Sequence, residues 1–202
     1  MMKTLTITGQ PRPHLGKQAA KQLRQAANAP CVLYGGPEHI HFHTPMALLK
    51  DLIYTPKAHF VHLHIADKQY RCILQDIQFH PVNEMILHVD FLQIAESKPI
   101  KMQIPLQTTG QAPGVSQGGT LVKKCRQLSV RAYPKDMPPH ITVDVAALAL
   151  GQLVRVRDLR PAHYTILAPP GTPLVAVQVP RALRSAESEA EEATPPAEAA
   201  KK

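Results

Sequence analysis

Tryptophan is absent from this 202-residue chain, and aromatic side chains make up only 4% of it. So few rings argue against a single-strand binder that stacks bases on exposed aromatics. No CxxC pair occurs among the three cysteines, Cys31, Cys72 and Cys125. Their odd number and scatter argue against a disulfide scaffold and a cysteine-based zinc site, and fit a reducing cytoplasm. No apolar run is long enough to cross a bilayer. No positively charged, then apolar, leader opens the chain, so the expectation is a cytoplasmic protein with no membrane partner. Walker, GxGxxG, GxSxG and HExxH motifs are all missing. Nothing therefore points to an enzyme, a small-molecule substrate or a cofactor. Glycine is scarce beside proline, 10 against 20, which suggests many strands ended by stiff turns rather than long helices.

Charge, by contrast, is plentiful and unevenly placed. The formal charge is +8. The segment from Ser185 to Lys202 holds five glutamates and two lysines, a net −3, so the rest of the chain carries +11. That segment has no large apolar residue and cannot offset its ordering entropy, so residues 185–202 are expected to be a disordered acidic tail. The first 24 residues contain Lys3, Arg12, Lys17, Lys21 and Arg24 and no acid. Two more basic zones lie at Lys123, Lys124, Arg126, Arg131 and Lys135, and at Arg155, Arg157 and Arg160. Basic zones on a folded body suggest a polyanionic partner, though a plain solvated surface accounts for the charge equally well.

Periodicity predicts short strands and two short helices. Thr4, Thr6 and Thr8 alternate with Leu5 and Ile7, a half-buried strand over Lys3–Thr8. A helix is expected over Lys17–Ala27, with Ala19, Ala20, Leu23, Ala26 and Ala27 on one stripe and Lys17, Lys21 and Arg24 on another. Strands follow at Pro30–Tyr34 and His39–His43. Thr44-Pro45 looks like an N-cap with proline at N1, opening a helix over Met46–Tyr54. Ala58–Ile65 and Gln69–Phe79 read as a hairpin, and Met85–Ile94 as a returning strand. After a seam near Ala95–Pro99, strands are expected at Lys101–Leu106, Leu121–Ala132, Ile141–Val145, Leu153–Val156, Tyr164–Leu167 and Leu174–Val179. Gly110–Gly119 reads as a polar loop, and Asp144 as the cap of a turn running to Gly151. The fold class is mainly β: two barrel- or sandwich-like domains, with the short helices in the first.

Histidine is the most abundant candidate for chemistry, eleven in all. His39, His41 and His43 alternate, as do His62 and His64, so each set shares a strand face. Five imidazoles could bind zinc or nickel. Their spacing matches no metal signature and no acid lies among them, so solvent-facing histidines are the preferred reading and no metal is expected. Cys31, beside Pro30 in an apolar strand, reads as a core thiol rather than a nucleophile. His88 and Asp90 stand at i, i+2 and read as a hydrogen-bonding pair. Binding a structured RNA needs cations for phosphates and planar polar groups for base edges and riboses. The N-terminal arm and helix face supply the first, and Gln75, Gln78, His88 and Asp90 on strands supply the second.

Two blocks carry a resemblance. One is Gly16-Lys17, Lys21-Gln22-Leu23-Arg24 and Ala29-Pro30-Cys31-Val32-Leu33-Tyr34-Gly35-Gly36. The other is Gln75-Asp76-Ile77-Gln78-Phe79-His80-Pro81 with Leu87-His88-Val89-Asp90-Phe91. Together they resemble the bacterial family of large-subunit ribosomal proteins number twenty-five, which binds 5S ribosomal RNA. Gly110-Gln111-Ala112-Pro113-Gly114-Val115, Gly118-Gly119, Ile141-Thr142-Val143-Asp144-Val145, Leu150-Gly151 and Val156-Arg157-Asp158-Leu159 are similar to the second domain of its longer form, also called general stress protein Ctc. The resemblance implies a six-stranded β-barrel with helices over residues 1–95 and a β-rich domain over 98–182. It implies binding at the loop E region of 5S rRNA through the minor groove. By motif, Arg12, Lys17, Lys21 and Arg24 would hold phosphates, and Tyr34, Gln75, His88 and Asp90 would make polar contacts. Neighbouring large-subunit ribosomal proteins or more rRNA would meet the second domain. This chain departs from the family at Gln18, Ala20 and Gln22, where glycine, a small polar residue and paired basic residues are usual, and at Phe79, where a basic residue often precedes His-Pro. Two other readings are an RNA- or tRNA-binding module outside the ribosome and a histidine-rich metal enzyme.

Overall fold

Alternating apolar and polar side chains let a sheet bury one face, and here the sheet closes on itself. In a computed structural model, which describes residues 2–66, 68–161 and 163–180, six strands form a closed barrel. They are β1 (Lys3–Pro11), β2 (Asn28–Tyr34), β3 (Ile40–Pro45), β4 (His59–Ile65), β5 (Lys68–Phe79) and β6 (Ile86–Gln93), ordered β1-β3-β2-β6-β5-β4. The β1–β4 and β2–β6 pairs are parallel and the others antiparallel. Helix α1 (Lys17–Gln25) links β1 to β2, and α2 (Met46–Ile53) links β3 to β4. The acidic segment 185–202 lies outside the described residues.

Register decides which side chains face inward. Ile7, Cys31, Leu33, Phe42, Val61, Leu63, Cys72, Val89 and Phe91 are buried together, with Leu49 and Leu52 of α2 packed among them. The Phe42 and Phe91 rings meet at 5.8 Å between centroids, tilted by 37°. Gly9 faces Phe42, whose Cδ2 lies 2.5 Å from where a Cβ would stand, so no larger residue fits there.

Local chemistry shifts several boundaries. Thr44 does not cap α2. It lies within β3, fully buried, and its Oγ1 donates to the Thr8 carbonyl at 2.8 Å, while Pro45 takes the N-cap position without a side-chain bond. Inter-strand pairing there outcompetes local capping. Helix α1 stops at Gln25 because Ala27 turns to φ 56, and Ala26 and Ala27 are exposed rather than on the packed stripe.

Beyond the barrel the strands are β7 (Ile100–Thr109), β8 (Thr120–Lys123), β9 (Gln127–Ala132), β10 (Ile141–Asp144), β11 (Leu153–Arg155), β12 (Thr165–Ile166) and β13 (Pro173–Gln178). They form a four-stranded sheet, β10-β7-β9-β12, and a three-stranded sheet, β11-β13-β8. By density of contacts the described chain divides into two units. One holds the barrel with residues up to Pro105, Gln127–Ile141 and Pro161–Leu167; the other holds Leu106–Arg126, Thr142–Arg160 and the described residues from Ala168 on. The single strand expected over Leu121–Ala132 is two strands in different sheets: Lys124 and Cys125 both donate to the Leu174 carbonyl, which ends one ladder before Gln127 starts the next. The expected loop Gly110–Gly119 contains a one-turn helix, α3 (Pro113–Ser116), with proline in its first turn. The expected strand Leu153–Val156 ends at Arg155, whose N–H donates to Asp158 Oδ2 at 2.8 Å and opens a 3₁₀ turn. Asp144 does cap its turn, its Oδ1 accepting from Ala146 N–H at 2.9 Å.

Two consequences are measurable. Ala27 holds a left-handed conformation that favours glycine, so Ala27→Gly is expected to stabilise the barrel by about 1 kcal/mol, read as a higher urea midpoint. His59 is buried in β4 opposite Lys3 of β1. Burial first, then the ammonium groups of Lys3 and Lys57, hold its imidazole below the ordinary value. A histidine depressed in this way contributes stability that is complete above the unfolded pKa of about 6.5 and fades as pH falls below it. The urea midpoint should therefore drop between about pH 7 and pH 5, and His59→Gln should make that drop shallower.

Candidate nucleic-acid interface

Polar side chains on β2, β6 and β5 point away from the core, because their neighbours Cys31, Leu33, Val89 and Phe91 point in. Register sets Val32 beside Asp90, Asp90 beside Asp76, and His88 beside Gln78. Within β6, His88 Nδ1 and Asp90 Oδ1 are 2.6 Å apart, both side chains about one-third exposed. The carboxylate accepts from the imidazole N–H, which leaves Nε2 of a neutral ring free to accept. Tyr34 belongs to the same group: burial first, then the negative charges of Asp90 and Asp76, raise its pKa, so the phenol keeps its proton.

Gln75 occupies an irregularity. The β5–β6 register steps from Leu74↔Phe91 to Asp76↔Asp90, and Gln75 is the extra, exposed residue between them. Such a bulge re-aims a side chain beside a functional surface. Gln75 and Asp76 are consecutive polar residues between Leu74 and Ile77, the sequence signal of the slip.

The cations lie beside this face. Arg24 in the last turn of α1 donates from Nε to the Leu87 carbonyl of β6 at 3.1 Å, which ties the helix to the strand carrying His88 and Asp90. Lys17 and Lys21 are exposed on the helix, and no acid precedes them in its first turn. Arg12 follows β1. Its N–H donates to the His41 carbonyl at 3.0 Å, and its Nε is buried with no hydrogen-bond partner. A buried donor left unpaired is costly and favours an acceptor arriving from outside. No hydrogen bond or ion pair links Arg12, Lys17 or Lys21 side chains to the polar face among the described residues.

The five alternating histidines do not converge. His62 and His64 stand opposite Thr6 and Thr8 of β1, while His43 stands opposite Gln10 of the same strand. A whole strand thus separates the two sets, about 9–10 Å at the usual strand spacing. No group of three metal-ligating side chains gathers among the described residues. Asp76, His80, Asn83 and Gln25 also reach this side of the barrel. His80 and Asn83 lie in the turn between β5 and β6, where no periodicity marks them.

Residues 7–91 match the model of the ribosomal L25p family, and residues 99–181 that of the ribosomal protein TL5 C-terminal domain. Among curated proteins, the large ribosomal subunit protein bL25 of Amoebophilus asiaticus is 60% identical over 94% of this chain and 97% of its own length. Its counterpart in Cytophaga hutchinsonii is 47% identical over 94% and 98%, and that in Christiangramia forsetii 42% identical over 90% and 84%.

Beneath the polar face, Cys31 is fully buried, and burial raises its pKa far above the ordinary thiol range. Cys72 is shielded in the same way, whereas Cys125 is partly exposed. An aromatic disulfide reagent at pH 8 is expected to label Cys125 alone in the folded chain and all three thiols after denaturation. Rapid labelling of Cys31 would show that the barrel opens beneath the site.

Proposed function

This chain belongs to the ribosomal L25p family of large-subunit ribosomal proteins, with the TL5-type domain behind it, and from that membership we propose that it binds 5S rRNA in the large subunit. Lys17, Lys21, Arg24 and Arg12 neutralise phosphates, and the face made by Tyr34, Gln75, His88 and Asp90 lies against the wide minor groove of the loop E region. Helical RNA displays 2′-hydroxyls there, each a donor and an acceptor. Asp90 accepts from a 2′-hydroxyl or base amino group, His88 Nε2 accepts likewise, and the protonated Tyr34 phenol donates. Gln75, lifted by its bulge, offers both an amide donor and a carbonyl acceptor.

The observation that carries this reading is the Arg24–Leu87 bond, which sets a cationic helix beside an uncharged-to-acidic strand face. A uniformly basic surface would hold any polyanion. One with carboxylates at its centre rejects phosphates there and admits only hydroxyls and amino groups. Residues 1–95 form the RNA-binding domain, and residues 98–182 meet a neighbouring ribosomal protein or further rRNA. The work is positioning on the ribosome, in the cytoplasm, without catalysis.

Gel-shift binding to a 5S transcript at two salt concentrations tests the assignment. Lys21→Ala is expected to weaken binding and to flatten the salt slope by about 0.7–0.9. His88→Ala is expected to cost about 1–3 kcal/mol with the slope unchanged. Equal binding by both variants and the wild type would remove the assigned surface. Co-sedimentation with large subunits after a salt wash separates this reading from an RNA-binding role outside the ribosome.

A further inference from the structure

Between α1 and the turn joining β5 to β6 lies a cavity of about 360 Å³, bordered by two of the cations assigned to phosphates, Lys21 and Arg24. Its exposed lining is apolar, with Met85 and Leu87 among it, and Lys21 and Arg24 stand at its border. Met85 and Leu87 are spaced i, i+2, which directs both to one side of an extended chain.

The cavity is built rather than incidental. His80 donates its N–H to the Met85 carbonyl at 2.8 Å, and Glu84 donates to the His80 carbonyl at 3.1 Å. Val82 and Asn83 donate to His80 Nδ1 at 3.3 and 3.5 Å, so a neutral ring carries its proton on Nε2. Asn83 Oδ1 accepts from the Met85 N–H at 3.4 Å, and its Nδ2 donates to the Met85 sulfur at 3.3 Å. The turn is thus held by its own polar groups, and yet Met85 stays 37% exposed. On the other wall, the Arg24 bond to Leu87 fixes the helix. Neither Lys21 nor Arg24 pairs with a carboxylate among the described residues. Glu84, at the corner of the turn, does not line the cavity.

A ligand for this site needs a flat apolar face for Met85 and Leu87 and a negative charge that reaches the two cations at the border. A methionine sulfur favours contact with an aromatic ring. A small anion such as free phosphate would satisfy the cations and leave the apolar pair uncovered. A base inside a helix cannot present its face, whereas one splayed out of the stack can. We propose that this cavity holds one unstacked purine nucleotide, its base against Met85 and Leu87 and its phosphate beside Lys21 and Arg24. A purine is preferred because its double ring covers both apolar side chains. The site deepens the RNA-binding reading and rests on it for the source of the nucleotide.

The test has two arms. In the first, the full chain with ¹³C-labelled methionine methyls is titrated by NMR with adenosine 5′-monophosphate, ribose 5-phosphate or inorganic phosphate. The adenosine nucleotide alone is expected to shift the Met85 methyl, through the ring current of the base. An equal shift with ribose 5-phosphate, or none with the adenosine nucleotide, overturns the proposal. In the second arm, Met85→Ala and Leu87→Ala are compared with wild type on a 5S transcript. Each is expected to weaken binding about three- to tenfold with the salt slope unchanged, unlike Lys21→Ala. Wild-type affinity in both variants likewise overturns it. A transcript that the wild-type chain ignores would remove the RNA-binding reading, and the mononucleotide titration would still decide the cavity.

Discussion

Seven consecutive residue pairs join β1 to β4 in parallel, and without them the six-stranded sheet would have two free edges. Their closure turns the alternation of each strand into a strict inside and outside. Ile7 faces the core only because Thr6 and Thr8 face away, and the same constraint sets Cys31 and Val89 in, Asp90 and His88 out. A slip of one residue in any strand would turn its outward side chains into the core. The outer polar face is therefore a by-product of packing, and its precision is that of the buried rings beneath it.

Charge on that face is arranged against local stability. Asp76 and Asp90 stand opposite each other on neighbouring strands, a like-charged pair that costs some tenths of a kcal/mol or more. Arg12 buries a guanidinium nitrogen with no partner. Neither feature helps the free protein fold. Both become favourable beside a surface that offers donors to the carboxylates and an acceptor to the arginine, which is the pattern expected where strain is retained for binding.

Much of this was legible from residues alone. Alternation marked β1 and the histidine-bearing strands, the i, i+2 spacing placed His88 with Asp90, and the lysine spacing marked the exposed face of α1. What escaped was decided by contacts distant in sequence. Thr44 looked like a helix cap because capping is local, yet it bonds Thr8, thirty-six residues away. The break between β8 and β9 is made by the Leu174 carbonyl, which no pattern near Cys125 announces. The bulge at Gln75 left a trace as two adjacent polar residues, but its effect depends on the register with β6. The loop opening at His80-Pro81 was legible from its proline, but the bonds inside it were not, since hydrogen bonds within a turn impose no period.

The Arg24 bond to β6 bears on how the molecule meets a target. Because the helix is anchored to the strand at Leu87, the gap between its lysines and the His88–Asp90 pair is set in advance, like the jaws of a fixed-gauge caliper. Such a device gains from not having to be ordered on contact. On the RNA-binding reading proposed above, it also measures: a furrow of the wrong width meets one jaw or the other but not both.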